Sequence, residues 1–360
     1  MTGLSKVIPI IIPAYEPDER LIELLRDFVQ NDIRTVIVVD DGSGSEYQSI
    51  FEEAKKIIQP IDGCVLTHEV NKGKGRALKT AFEYVLTSYP EAIGVVSADS
   101  DGQHTFECIE TVKEKLAQNQ ESLVMGVRNF DGEHIPWKSK FGNKLTMKVL
   151  GYITGIHVSD TQTGLRGIPR AFMEELLEVK GERFEFETRM LLQSVDRYPI
   201  REVSIKTIYR SKENHQTHFH PFIDSIRIYR ILGVQFLKFM FTSLSSSLID
   251  LILFAVFCFF LKPQFAFYVG LATVLARVIS ATYNYLMNYK VVFKSKEHLV
   301  KAAFKYIFLA ILQMGSSAVL VSIGVMLLSF LPEVVTKAVV DTVLFFLSYT
   351  IQQRYVFRKK

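Results

Sequence analysis

Short runs of β-branched and aliphatic residues recur along the first 210 positions, at 7–12, 35–39, 64–67, 93–98, 123–126 and 203–208, and each reads as a buried strand. Between them, near 18–30, 45–58, 74–88, 105–118, 140–153 and 185–197, apolar residues return with a helical period. Strand alternating with helix predicts an α/β domain around a mainly parallel sheet covered on both faces. The opening MTGLSKVIPIIIP fits as a first strand, since its apolar run is too short to cross a bilayer and no small-residue cleavage site follows. After position 230 the pattern changes. Four apolar stretches, about 240–261, 265–289, 304–331 and 335–357, each supply the roughly 20 residues a membrane-crossing helix needs, so an all-α domain of four transmembrane helices is expected to follow the sheet.

Charge sharpens this division. Of 42 Lys and Arg against 38 Asp and Glu in 360 residues, 13 and 4 fall in 231–360, leaving an acidic first part and a sparsely charged, basic-edged second part. Within the second part the basic residues collect at Lys290, Lys294, Lys296, Lys301 and Lys305 and at the C-terminal Arg354, Arg358, Lys359 and Lys360. Basic loops stay on the cytoplasmic side, which predicts a multi-pass cell-membrane protein with its head and both termini in the cytoplasm. Residues 222–238 place Ile226, Tyr229, Leu232 and Phe236 at helical spacing with Arg227, Arg230 and Lys238 elsewhere around the axis, the pattern of a helix lying in the interface. The expected organisation is 1–221 cytosolic, 222–238 interfacial and 239–360 membrane-spanning. Asp250, Arg277 and Asp341 fall inside spans, where each is costly against lipid; they are expected to face one another or water, as a structural clasp or as a polar site for a lipid headgroup. Three cysteines, Cys64, Cys108 and Cys258, are odd in number and lack metal-ligand spacing, in keeping with a reducing compartment.

Ligands of parallel sheets bind beyond the carboxyl ends of the strands. There the sequence places Pro13-Ala14-Tyr15-Glu16-Pro17, then Asp40-Asp41-Gly42-Ser43, then Asn71-Lys72-Gly73-Lys74-Gly75-Arg76, then Asp99-Ser100-Asp101-Gly102-Gln103-His104. Asp99 and Asp101, one residue apart, suit a hard divalent cation, Mg2+ or Mn2+, that keeps further positions for substrate phosphates. Asp40 and Asp41 suit hydrogen bonds from a base and ribose, and Lys72, Lys74 and Arg76 sit where phosphate oxygens can be met. A Walker loop is excluded by spacing. His215, His218 and His220 are irregularly spaced for a metal and read as part of a mobile lid near phosphate, and Trp137 as a bilayer-surface anchor.

The runs PAYEP, DDGSGS, NKGKGRALKTAF, ADSDGQH, MGVRNF, DTQTGLRG and FEFE resemble glycosyltransferase family 2, within it the polyprenyl-phosphate enzymes of the dolichol-phosphate mannose synthase type, over about residues 6–230. The stretches ARVISATYNYLMNYKVVF and KAVVDTVLFFLSYTIQQRYVF resemble the GtrA-type four-helix membrane family. The resemblance implies a GT-A-type sheet and an inverting, metal-dependent transfer of a sugar from a nucleotide sugar to polyprenyl (undecaprenyl) phosphate at the inner leaflet, on the way to a cell-envelope polysaccharide. UDP-glucose or UDP-N-acetylglucosamine is the expected donor, with GDP sugars an open alternative.

By the same resemblance Pro13, Tyr15, Glu16, Asp40, Asp41, Lys74 and Asp99 meet the donor, and Asp99, Asp101 and Gln103 hold the metal. Arg128, with Lys138, Lys140 and Arg166, meets the acceptor phosphate, while Asp101, Asp160 and Arg128 are the catalytic set and Asp160 chiefly orients the acceptor. Expected partners are a nucleotide sugar, polyprenyl phosphate and membrane lipids, with no nucleic acid; a homo-oligomer is an open alternative. The membrane domain is expected to anchor the head or help translocate the product. Other readings are a lipid-linked sugar flippase whose head only loads substrate, and transfer to another membrane lipid. A processive synthase would carry Gln-x-x-Arg-Trp; the nearest string here, Gln352-Gln353-Arg354-Tyr355, does not match.

Overall fold

The computed structural model describes residues 7–128, 147–152, 155–195, 197–205, 221–262, 268–327, 330 and 332–357. It divides into two compact units, Met1–Ile231 and Leu232–Lys360.

The first unit is built on a seven-stranded sheet of order β3-β2-β1-β4-β6-β5-β7. Its strands are β1 Ile10–Ala14, β2 Val36–Asp40, β3 Cys64–Thr67, β4 Gly94–Ser97, β5 Leu123–Arg128, β6 Arg166–Pro169 and β7 Ile200–Ile205. Five of them, β1, β2, β4, β5 and β6, are buried nearly throughout, because helices cover both faces and leave no room for an alternating polar side. Helix α1 (Glu19–Gln30) shows how the cover is made. Leu21, Ile22, Leu24, Leu25 and Phe28 form its buried stripe, and Asp18 caps its start by accepting the Arg20 N–H at 3.0 Å. Helices α2 (Gln48–Ile58), α3 (Lys74–Ser88), α4 (Phe106–Gln118), α5 (Arg170–Leu177) and α6 (Glu185–Ser194) follow.

The expected mainly parallel sheet is present, with one departure. Strand β6, absent from the sequence reading, runs antiparallel between β4 and β5. Four residues containing Gly167 and Pro169 give no periodic signal; the strand exists because Gly167 fits a crowded place where a Cβ would lie 3.2 Å from Leu116 and Val124. The reversal matters for function. The carboxyl ends of β1, β2, β3, β4 and β5 point to one edge, and the antiparallel β6 brings its amino end, with the 160–165 loop before it, to that same edge.

Helix α7 (Pro221–Leu261) begins in the first unit and continues into the second, which also contains α8 (Tyr268–Met287), α9 (Leu299–Leu327) and α10 (Glu333–Ile351). Helix α7 is continuous through 238, so no break separates the segment expected at the interface from the first apolar stretch. Among the described residues 233–261 and 299–327 are long and apolar enough to cross a membrane, with mean hydropathies of 2.3 and 1.9. Helices α8 and α10 each end in a π turn, Asn288–Val292 and Gln352–Val356.

Candidate functional site

The ends of β1 and β2 are tied into one rigid corner. Asp41 N–H donates to the Ala14 carbonyl at 2.8 Å, Ser43 N–H to Asp40 Oδ1 at 2.9 Å, and Glu16 N–H to Ser43 Oγ at 2.8 Å, with Glu16 held at φ 49°. The Tyr15 hydroxyl pKa is raised, first by its hydrogen bond with Glu16 and then by burial. Asp41, expected to meet the nucleotide, is 2 % exposed. Its carboxylate instead accepts Lys72 N–H at 3.0 Å, Gly73 N–H at 2.7 Å and His68 Nδ1 at 2.7 Å. Its carboxylate therefore braces the Gly-Lys-Gly loop from beneath. Gly42 is required at this corner, because at φ +75° a Cβ would fall 2.3 Å from the Val70 carbonyl carbon.

That loop delivers Lys74, the first residue of α3. Its ammonium lies 2.7 Å from Asp99 Oδ1 and 3.0 Å from Glu187 Oε1. Burial alone would lower the lysine's pKa, but the two carboxylates more than offset this and hold it above the ordinary value. Asp99 shifts the opposite way: burial works to raise it, yet Lys74 and His104, whose Nε2 stands 3.6 Å away, lower it. The Asp101 carboxyl is raised, by burial first and by Asp99 second. The two carboxyl groups of Asp99-Ser100-Asp101 are thus pushed apart in acidity. Asp101 Oδ1 also accepts Gln103 N–H at 3.1 Å, which closes the turn around them.

The segment before and into α6, which contains the FEFE run, also belongs to the site. It supplies Glu187, and Glu182 accepts from Arg76 Nη2 at 2.9 Å and Lys79 Nζ at 3.1 Å. Gly73 and Gly75 let the loop lie flat on it, since Cβ atoms there would meet Glu182 O at 2.4 Å and Phe186 Cβ at 2.6 Å. An alternation of Phe and Glu opening a helix was the available signal.

From the other side, Arg128 at the end of β5 forms a two-pronged pair with Asp160, Nε to Oδ2 at 2.6 Å and Nη2 to Oδ1 at 3.0 Å. Asp160 is fully buried and accepts Gln162 N–H as well. Its oxygens are committed to positioning, and Arg128 is the group brought to the edge. Arg166 corrects the expectation that it contacts the acceptor phosphate. Its guanidinium is 1 % exposed and donates to the Thr163 carbonyl at 2.9 Å and the Glu187 carbonyl at 2.8 Å, clamping the 160–165 loop to α6, and burial lowers its pKa. Gly164 completes the contact between loops: a Cβ there would stand 2.3 and 2.4 Å from the two Asp99 oxygens. Lys138, Lys140, Trp137 and the 215–220 histidines lie outside the described residues.

In the second unit the expected trio divides. Arg277 pairs with Asp250 at 3.3 Å and Ser280 Oγ donates to Asp250 at 2.8 Å, but Asp341 joins Lys337 at 2.9 Å and Ser317 at 2.6 Å. An i,i+4 lysine one turn away satisfies Asp341 without the others.

Residues 10–177 match the family described as Glycosyl transferase family 2, and residues 238–357 match GtrA/DPMS, transmembrane domain. A UDP-N-acetylglucosamine–dolichyl-phosphate N-acetylglucosaminyltransferase of Methanococcus voltae is 27% identical over 224 residues, which is 57% of this chain and 87% of that protein. Glycosyltransferase AglJ of Haloferax volcanii is 24% identical over 220 residues, 60% of this chain and 67% of that one. A solved mannosyltransferase from Pyrobaculum calidifontis, in complex with GDP-Man and Mn2+, aligns over 97% of this chain and 87% of its own at 16% identity and a TM-score of 0.40.

Proposed function

We propose, for a glycosyltransferase whose head belongs to glycosyl transferase family 2 and whose tail belongs to the GtrA/DPMS transmembrane family, the transfer of a sugar from a nucleotide sugar to the phosphate of a polyprenol. One observation carries the reading: Asp99 and Asp101 stand beyond β4 on the edge to which Lys74 and Arg128 are also delivered. That edge offers a cation-binding carboxylate pair beside fixed cations, in a chain with helices long enough to reach a lipid acceptor. The named activity of the Methanococcus voltae relative supports a lipid-phosphate acceptor and a UDP sugar.

The residues fit a divalent metal of the substrate-completed kind. Asp99 and Asp101, one residue apart beyond β4 in a turn closed by the Gln103 N–H, would hold Mg2+ or Mn2+ with the donor's phosphates and water filling the other positions. When bound, the ion neutralises charge on the departing diphosphate. Asp99 already attracts a positive charge, the Lys74 ammonium.

In the transfer, an acceptor phosphate oxygen forms the new bond to the anomeric carbon while the bond from that carbon to the nucleoside diphosphate breaks, with inversion. A phosphate monoester with a second pKa of about 6 is largely dianionic at neutral pH, so no strong base is required. This agrees with Asp160, which is fully buried and bonded to Arg128. Arg128 orients the acceptor phosphate, and the acceleration comes from alignment and charge stabilisation. The apolar helices anchor the chain in the bilayer that carries the lipid acceptor.

Membranes containing the full chain, incubated with radiolabelled UDP-glucose, UDP-N-acetylglucosamine or GDP-mannose, polyprenyl phosphate and Mn2+, are expected to move label into organic solvent. Label that stays aqueous with every donor would defeat the reading.

A further inference from the structure

We propose that the membrane domain is an internal duplication: two equivalent helical hairpins, α7–α8 and α9–α10, paired about an approximate two-fold axis and locked where α8 and α10 end. The sequence carries the first sign. NYLMNYKVVFKSK at 284–296 and SYTIQQRYVFRKK at 348–360 share Tyr285/Tyr349, Val292/Val356, Phe293/Phe357 and Lys296/Lys360, and pair Asn288 with Gln352 and Lys290 with Arg354. General helix preference does not demand this order of amide, cation, valine and phenylalanine twice.

The structure repeats it in three dimensions. Both helices pass into a π turn at the same point, closed by Phe293 N–H to the Asn288 carbonyl at 2.9 Å and by Phe357 N–H to the Gln352 carbonyl at 2.8 Å. Isolated π turns are rare and concentrate where function or packing requires them. The equivalent residues then contact each other. Asn288 Nδ2 donates to Gln352 Oε1 at 3.1 Å, and both side chains are buried. The Phe293 and Phe357 rings stack at 5.2 Å and 15°.

Around these two self-pairs the contacts are reciprocal. Phe293 meets Tyr349 at 5.8 Å and 36°, and Phe357 meets Tyr285 at 5.8 Å and 35°. In the preceding helices Phe239 packs on Phe293 and Tyr349 at 6.0 and 5.1 Å, while Tyr306 packs on Phe357 and Tyr285 at 6.2 and 5.5 Å. Pairing Phe239 with Tyr306 also pairs Asp250 with Ser317, and pairing Asn288 with Gln352 pairs Arg277 with Asp341. Arg277 contacts Asp250 in one hairpin, and Asp341 contacts Ser317 in the other. The trio read from sequence as one polar site is thus one polar link per hairpin, at the same position in each.

Because the ends of α8 and α10 meet at the axis, the axis runs along the membrane normal, and the two helices finish on one membrane face. Duplications with this axis make parallel repeats. The amide pair and ring stack close the bundle at that face.

The test uses the full chain in detergent and in sealed vesicles. Exchanging segments 284–293 and 348–357 for one another is expected to shift the membrane domain's melting midpoint by no more than about 3 °C, whereas Asn288→Leu and Gln352→Leu each lower it by several degrees and by similar amounts, since each strands the other amide in a buried site. In a background with the native cysteines replaced by serine, Lys294→Cys and Tyr355→Cys are expected to react with a membrane-impermeant maleimide from the same side. An exchanged chain that melts as low as the leucine variants, or labelling from opposite sides, would overturn the duplication, whatever the head's activity.

Discussion

Gly164→Ala tests the geometry of the site at a residue with no chemistry of its own. The added Cβ would stand 2.3 and 2.4 Å from the Asp99 oxygens and 2.6 Å from their carbon. Ordinary contact needs about 3.4 Å or more, so the carboxylate must retreat by about 1 Å. The Gly164 backbone cannot yield instead, because its carbonyl accepts Ser97 Oγ at 2.8 Å and the next residues enter β6. Overpacking of this kind costs about 1–3 kcal/mol, and moving Asp99 stretches its 2.7 Å contact with Lys74. A misplacement of about 1 Å at a reacting centre costs roughly 100-fold. Urea unfolding of the head, followed by fluorescence, and initial rates of lipid glycosylation over a Mn2+ titration give both quantities. The expected result is a fold weakened by about 1–3 kcal/mol, a rate reduced about 100-fold and a higher metal requirement. Parent-like rates at the parent's metal concentration would show that Asp99 is not placed by this contact or does not serve the reaction.

Further consequences follow from the same contacts. Asp101→Ala is expected to abolish metal-dependent turnover while leaving the unfolding midpoint near the parent's; near-normal transfer would remove Asp101 from the metal site. Lys74→Met leaves the Asp99 and Glu187 carboxylates facing each other and should destabilise the head by about 1–3 kcal/mol, discounted from a fully buried pair for residual exposure; saturating Mn2+ should restore the loss if the ion takes up the charge balance, and no restoration would contradict it. Asp160→Asn weakens the hold on Arg128 and should raise KM for the lipid about 10-fold or more, with little change in KM for the nucleotide sugar; equal changes in both would refute an acceptor-side role. Turnover should fall as pH drops through about 6, where the acceptor becomes monoanionic. Mn2+ binding measured without acceptor should persist to lower pH and weaken as Asp101, whose pKa is raised from 3.8, takes its proton. A flat rate between pH 7.5 and 5.5 would argue against an unassisted phosphate nucleophile.

How much was legible in the chain depended on whether the signal was periodic. The helix at Lys74–Ser88 and the strand at Cys64–Thr67 stand where the apolar period placed them. Strand β6 was not readable, because its four residues owe their conformation to neighbours in β4 and β5. Position beyond a strand end placed several of the expected site residues on one edge of the sheet, yet could not tell a residue facing outward there from one facing inward. Asp41 and Arg166 both turn inward, to loop amides and to carbonyls respectively. Glu187 escaped notice because its role arises from Lys74, more than a hundred positions earlier in the chain. In the membrane half, charge alone grouped Asp250, Arg277 and Asp341, whereas the hairpin repeat separates them.

The most direct measurement of the central claim is the product itself. The full chain, reconstituted with undecaprenyl phosphate, Mn2+ and a panel of UDP and GDP sugars, should release one nucleoside diphosphate for each glycosyl-phosphoryl-lipid identified by mass spectrometry, and chelation with EDTA should stop both. Nucleoside diphosphate release without any sugar-linked lipid, or lipid product formed equally well under EDTA, would contradict the account.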